Sequence, residues 1–230
     1  MKWLLALSLP AALIAPMAMA NDHDDVVKRL NAATTVMKEI FDAPDKGIPH
    51  DLMDKAHCIV VVPNLKQAGF IVGAKYGKGF LSCRRPNGGW TGPAAIRIEG
   101  GSFGLQIGAG ETDVIALVMN ESGARRMINS EFKIGGEAQA MAGPVGRSAQ
   151  AETDATMKAE ILGYSRSRGV FAGVALEGST IREDKSDNRA IYNTDYSNKD
   201  ILETTRPKTP AEALPFIEEL NSQSRWEKHG

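Results

Sequence analysis

The sequence is poor in the residues that build small cross-linked or metal-bound folds. Its 230 residues include two cysteines and four histidines. Neither cysteine falls in a C-x-x-C or Cys/His cluster, which excludes a zinc module and a disulfide-dense scaffold. Aromatic residues make up only 6% of the chain, whereas its 23 glycines favour tight turns and bent strands over a helical bundle.

An excess of charge of either sign is also missing. The chain has 27 Lys and Arg against 28 Asp and Glu, which gives a formal net charge of −1 at pH 7. Without a global basic excess, nothing in the composition argues for nucleic acid as a partner. The hydrophobic fraction of 43% is sufficient for one sizeable core. We therefore expect a globular protein without a nucleic-acid partner.

Long hydrophobic runs are absent outside the first twenty residues. Met1–Ala20 combines one lysine, an apolar run and a final Ala-Met-Ala, which is typical of a signal peptide cleaved after Ala20. An uncleaved membrane anchor is the alternative, and Pro10 and Pro16 make it less favourable. We expect residues 21–230 to be exported to a bacterial periplasm.

The two cysteines lie in segments typical of β-strands. Cys58 opens the β-branched run Cys58–Val62, which Pro63 is expected to stop, and Cys83 lies in the predicted strand Lys78–Arg84. An exported compartment permits oxidation, so the sequence allows a Cys58–Cys83 disulfide. Two buried thiols that act as small apolar residues are the alternative.

The order of predicted elements gives the fold class. Asp24–Phe41 has apolar residues at helical spacing, and Pro210–Asn221 has the same pattern near the end of the chain. Between them, twelve glycines fall from Gly69 to Gly110, within a series of short predicted strands. We predict one α+β domain over residues 21–230, with a core of about 26–220. Its strongly curved, mostly antiparallel sheet or partly closed barrel is packed by the N-terminal helix and C-terminal helices.

Two segments resemble motifs of enzymes but lack the features that these motifs require. Gly100–Gly104 matches G-x-S-x-G, but strand-like sequence follows where a nucleophile elbow needs a helix. Gly108–Asp113 begins like a dinucleotide-binding loop but carries Asp113 at the third glycine position. The four histidines are scattered and suggest neither a metal site nor a general base. We expect no enzyme activity, no cofactor and no metal.

The distribution of charge along the sequence does indicate a function. Lys55–Ile98 contains no acidic residue, while acidic residues precede and follow it. A basic block of this kind suits phosphate head groups, and Tyr76 and Trp90 within it suit a membrane interface. The alternative is a solvated strand face whose charges pair with the acidic flanks. The predicted anion-binding cations of this block are Lys66, Lys75, Lys78, Arg84, Arg85 and Arg97.

A second basic segment is Tyr164–Gly169. Strand alternation places Tyr164, Arg166 and Arg168 on one face, where two guanidinium groups and a phenol suit a phosphate. A charged strand edge that faces solvent is equally consistent with the pattern.

Seven segments together resemble the SYLF-domain family, also called the Las17-binding or actin-regulator domain family. The resemblance covers roughly Val26 to Leu220, with the segments in the family order. They are Val62–Pro63, Lys66–Phe70, Gly101–Ala109, Val118–Glu121, Ala142–Arg147, Tyr164–Gly169 and Phe171–Gly178.

The resemblance implies a lipid-binding module. Eukaryotic members bind phosphoinositides and other anionic phospholipids, and some bind actin filaments. For an exported bacterial chain we expect anionic bacterial phospholipids instead, since activities do not follow from a fold alone. The predicted function is a non-enzymatic module of the bacterial envelope, peripheral to a membrane. The alternative is an envelope structural or protein-interaction module with an envelope protein as partner.

Overall fold

The computed structural model of the chain describes residues 15–43, 47–129, 131–135, 139–145, 159–167, 170–204 and 207–224, and for 15–21, 69–72 and 102–109 the backbone alone. The helices are α1 (Ala15–Phe41), α2 (His50–Lys55), α3 (Glu121–Met127), α4 (Lys185–Tyr192), α5 (Asn198–Glu203) and α6 (Leu214–Ser222), the last preceded by a 3₁₀ turn at Ala211–Ala213. The strands are β1 (Cys58–Cys83), β2 (Ala94–Val118), β3 (Glu131–Lys133), β4 (Ala140–Ala142), β5 (Ile161–Ser167), β6 (Val170–Gly173) and β7 (Ser179–Glu183).

One long antiparallel hairpin organises the sheet. β1 pairs with β2 along almost its whole length, from Cys58 opposite Val118 to Leu81 opposite Ala94. The first half of β2 also pairs with β7, and its second half pairs with β5. The sheet continues to β3 beyond β7, and to β4 and β6 beyond β5. Only the β4–β5 pair is parallel among the described strands.

β1 doubles back on itself, so that its two ends lie side by side. Cys58 and Cys83 form a disulfide, and the Arg84 amide donates a hydrogen bond to the carbonyl of His57 at 2.8 Å. Further along, a Cβ on Gly79 would lie 2.1 Å from the carbonyl oxygen of Val61. The close approach of the two halves therefore requires glycine at position 79.

The prediction of several short strands in this region is wrong. Pro63 does not stop a strand, because the chain absorbs it in a bulge between Val62 and Leu65 and the pairing with β2 resumes. Gly77 also lies inside β1, where it pairs with Ile98 of β2. The glycines bend two long strands where the sequence pattern predicted breaks.

Both faces of the sheet are buried. On one face, Ile59, Val61 and Phe80 pack in a cluster with α1, α2 and α6. On the other face, Cys58, Val60 and Val62 pack in a second cluster with residues of α3, β3 and α5. Neighbouring residues of β1 alternate between the two cores, as expected for a strand that is buried on both faces.

α1 packs on the domain through its apolar face. Val26, Leu30, Ala33, Met37 and Ile40 are all at most 1% exposed. These are the positions that helical spacing predicts. The α+β class, the strongly curved antiparallel sheet and the helices at both ends are confirmed. In the described part of the chain, no helix is long and apolar enough to cross a membrane.

Candidate functional site

A cleft of about 370 Å³ lies between α1 and the middle of β1. α1 contributes Lys28 and Arg29 to its lining, and β1 contributes Lys66, Tyr76 and Lys78. We call this surface the cationic cleft. Four of its lining side chains are cations, and none of its described lining residues is a carboxylate. Such a lining favours an anionic ligand.

The bulge in β1 shapes the wall of the cleft opposite α1. Pro63 and Asn64 stand against the single residue Asp113 of β2, and both line the cleft. Asn64 has a left-handed backbone with φ of 53°, and its amide donates a hydrogen bond to Asp113 Oδ1 at 2.9 Å. The bulge therefore turns the strand at the edge of the cleft and is held there by a carboxylate.

Lys28 and Lys66 form the open rim of the cleft. Their side chains are 78% and 74% exposed. Lys28 Nζ lies 3.7 Å from Asp25, and Lys66 Nζ lies 3.9 Å from Glu111. Exposed pairs of this length contribute little free energy, so both ammonium groups can turn towards a ligand.

Arg29 and Lys78 form the inner end of the cleft, and carboxylates of α4 and its N-cap hold them from behind. Lys78 Nζ lies 2.8 Å from Asp184 and 2.9 Å from Asp187. Arg29 donates a close hydrogen bond to the other oxygen of Asp187. Burial by itself lowers the pKa of Lys78, but the hydrogen bonds to Asp184 and Asp187 outweigh it and raise that pKa.

Three other residues that were predicted to bind anions make contacts within the protein instead. Lys75 is 9% exposed, and its Nζ lies 3.4 Å from the carbonyl of Glu177. Burial lowers the pKa of Lys75. Arg84 lies over the Trp90 ring at 4.2 Å, and Arg97 donates to the carbonyl of Glu183 at 3.1 Å. The predicted cations are therefore not gathered on one wall, and Arg85 is exposed away from the cleft lining.

Arg166 links α1 to the sheet. Its guanidinium group forms an ion pair with Glu39 of α1 and another, at 2.7 Å, with Asp113 of β2. Burial lowers the pKa of Arg166. A guanidinium group between two carboxylates is already satisfied, which argues against a phosphate cradle at this position. Arg168 lies outside the described residues.

The two aromatic residues predicted to contact a membrane differ in exposure. Tyr76 is 46% exposed and lines the cationic cleft. Trp90 is 1% exposed, and its indole nitrogen donates to Ser224 Oγ at 2.9 Å. The assignment of Trp90 to a membrane surface is corrected: it is a core residue that binds Ser224, two residues beyond the end of α6.

The segment that matches G-x-S-x-G does not have the backbone of a catalytic motif. Gly100–Gly104 lies inside β2, so its backbone is that of a continuing strand and not the strand-to-helix turn of a nucleophile elbow. Within the described residues, no group of His, Cys, Asp and Glu could hold a metal ion. The side chain of Ser102 is outside the described part of the chain.

Sequence reasoning did not assign Lys28 and Arg29 to the site. Both lie on α1, outside the basic block Lys55–Ile98 from which the site residues were predicted. Helical spacing could have placed them beside Ala32 on one polar stripe. What the sequence could not show is that this stripe faces Lys66 and Lys78 of β1.

The fold is a curled, glycine-rich antiparallel sheet packed by terminal helices, and it carries a cation-lined cleft. Residues 99–223 match the model of the family Ysc84, described as Las17-binding protein actin regulator. The chain belongs to this family, which confirms the resemblance seen in its segments.

Curated relatives extend the match over most of the chain. SH3 domain-containing YSC84-like protein 1 of Rattus norvegicus is 35% identical over 217 residues, 94% of this chain and 63% of the relative. Protein YSC84 of Saccharomyces cerevisiae is 35% identical over 191 residues, 81% of this chain and 40% of the relative. LAS seventeen-binding protein 3 of the same yeast is 34% identical over 214 residues, 91% of this chain and 45% of the relative. The chain thus spans less than two thirds of the length of these relatives.

Proposed function

We propose that this chain is a non-enzymatic module that binds anionic phospholipid surfaces through the cationic cleft. The lining carries the proposal, because four of its side chains are cations, while the carboxylates that contact them lie outside its described residues. Ammonium and guanidinium groups both donate charge-assisted hydrogen bonds to phosphate oxygens. Each cation near an anionic membrane surface contributes about 1 kcal/mol, so several together support reversible binding that salt weakens.

Tyr76 supports a membrane surface as the ligand. It is exposed at the cleft, beside Lys78 on the same face of β1. A tyrosine places its ring and its hydroxyl group favourably at the boundary between lipid and water. The proposal includes export after removal of Met1–Ala20 and a peripheral position on a membrane of a bacterial envelope.

Sedimentation with vesicles tests the proposal. At low salt, we expect the chain to sediment with vesicles of phosphatidylcholine and phosphatidylglycerol and not with phosphatidylcholine alone. The variant Lys28→Gln/Lys66→Gln removes the two rim cations, which together contribute about 2 kcal/mol, and we expect about thirtyfold weaker binding.

A matched control is available elsewhere on the surface. Arg125 and Lys199 are 70% and 73% exposed, and each pairs with a glutamate four residues away. Arg125→Gln/Lys199→Gln therefore makes the same change in net charge at unrelated positions. Absence of binding at low salt, or an equal loss in both double variants, would contradict the proposal.

A protein-interaction module is the second candidate function. The family description names Las17 binding and actin regulation, and the yeast relative is named for binding to LAS seventeen. For this chain we infer an envelope protein as the corresponding partner. Capture of one partner, unchanged by salt and by Lys28→Gln/Lys66→Gln, would favour this candidate over lipid binding.

A further inference from the structure

Asp187 contacts both cations at the inner end of the cationic cleft. Its carboxylate bridges two cations of different elements, Arg29 of α1 and Lys78 of β1. The side chain is 9% exposed. The two residues that Asp187 holds are themselves lining residues of the cleft. The chain therefore supplies its own anion to two of the four cations that a ligand would use.

The two cations depend on Asp187 to different degrees. Lys78 also contacts Asp184 at 2.8 Å, so it keeps a carboxylate partner if Asp187 moves away. Among the described residues, Asp187 is the one carboxylate that forms an ion pair with Arg29. Arg29 is 22% exposed, so a ligand can reach its guanidinium group. A phosphate can replace the carboxylate on Arg29 with the same charge-assisted geometry.

We propose that Asp187 is an intramolecular competitor of the ligand and that a phosphate group binds the cleft by replacing its carboxylate on Arg29. This inference rests on the proposed function, because it concerns the affinity of the same cleft. The inner end of the cleft is then the phosphate subsite. The contact between Asp187 of α4 and Arg29 of α1 is autoinhibitory, because it occupies this subsite. Removal of the carboxylate should therefore strengthen ligand binding although it removes a native contact.

Vesicle binding by Asp187→Asn tests the inference. We expect half-saturation at a lipid concentration about three to ten times lower than for the unaltered chain. Glu121→Gln is the control, because it removes an exposed carboxylate beside Arg125, outside the cleft lining, and changes net charge equally. If both variants gain equally, the effect is general electrostatics and the inference is overturned.

Thermal unfolding in inorganic phosphate supplies a test that needs no lipid. We expect phosphate to raise the Tm of Asp187→Asn more than that of the unaltered chain, since a ligand stabilises the state that binds it. The gain should disappear in Arg29→Gln/Asp187→Asn. If the asparagine variant does not fold, Asp187→Ser takes its place with the same expected response.

The outcomes separate this inference from the proposed function. Vesicle binding that needs Lys28 and Lys66 but is unchanged in Asp187→Asn keeps the proposed function and overturns the inference. No vesicle binding by any variant, together with phosphate stabilisation through Arg29, keeps the anion subsite and rejects the lipid surface. No response of Asp187→Asn to either ligand overturns the inference.

Discussion

Arg84 and Arg85 are neighbours in the sequence but lie in different environments. The guanidinium group of Arg84 donates to the carbonyls of Met53 at 3.0 Å and Ala56 at 3.3 Å, at the end of α2. It also lies over the buried ring of Trp90. Burial lowers the pKa of Arg84 to about 10. Arg85 is exposed, so two adjacent cations of one basic block have different roles.

This contrast gives the prediction at the residue scale. Arg84→Ala should lower the free energy of unfolding by about 2–3 kcal/mol, because it removes two hydrogen bonds and a cation–π contact. Arg85→Ala, one position away, should change it by less than about 0.5 kcal/mol. Urea unfolding of both variants measures the difference. Equal losses would show that the contacts of Arg84 contribute nothing specific.

Long-range pairing explains why residue roles were hard to predict. The acid-free block was visible in the sequence, but its neutralising partners were not. Asp187 lies 109 residues from Lys78 and 158 residues from Arg29. Sequence reasoning named pairing with the acidic flanks as the alternative, and the structure shows such pairing at Lys78. It also placed Trp90 at a surface, because composition alone does not show which aromatic residue the core takes.

At the scale of elements, β1 and β2 show where local pattern rules fail. Proline and glycine normally predict the ends of strands. Here Pro63 lies in a bulge, and Gly77 and Gly79 lie where the second half of β1 packs against the first half. The amphipathic pattern of α1 predicted its buried face correctly, since that pattern depends only on neighbours within one helix. The fold-back of β1 depends on contacts between distant residues.

Gly79 tests the fold-back. Gly79→Ala should lower the free energy of unfolding by more than about 2 kcal/mol, because the new methyl group meets the Val61 carbonyl and adjacent backbone that cannot move away freely. Gly110→Ala is the control within β2, since a Cβ there meets nothing within 4 Å. Thermal unfolding compares the two. A tolerated alanine at position 79 would contradict the close approach of the strand halves.

At the scale of the whole molecule, the sheet has a core on each face and the disulfide lies in one of them. Cys58 is 0% exposed and Cys83 is 5% exposed, among apolar residues of the second cluster. The glycine distribution and the terminal helices were enough to predict the fold class. The cationic cleft could not be predicted in the same way, because it forms only where α1 crosses β1.

The disulfide gives the prediction at this scale. A thiol reductant should lower the free energy of unfolding by about 2–4 kcal/mol, since the bond closes a loop across a separation of 25 residues and restricts the unfolded chain. The variant Cys58→Ala/Cys83→Ala should lose a similar amount and no longer respond to the reductant. Denaturant midpoints with and without reductant measure this. A reductant effect that persists in the double variant would contradict the assignment.

The doubling back of β1 also has a consequence for the biogenesis of the chain. The two thiols are far apart along an extended strand and become neighbours only after its halves have come together. Oxidation therefore marks the completion of this step, and a mispaired or open β1 would retain two free thiols that an alkylating reagent can trap. Counting free thiols in newly made protein would thus distinguish correctly folded molecules from those in which the two halves of β1 have not yet come together.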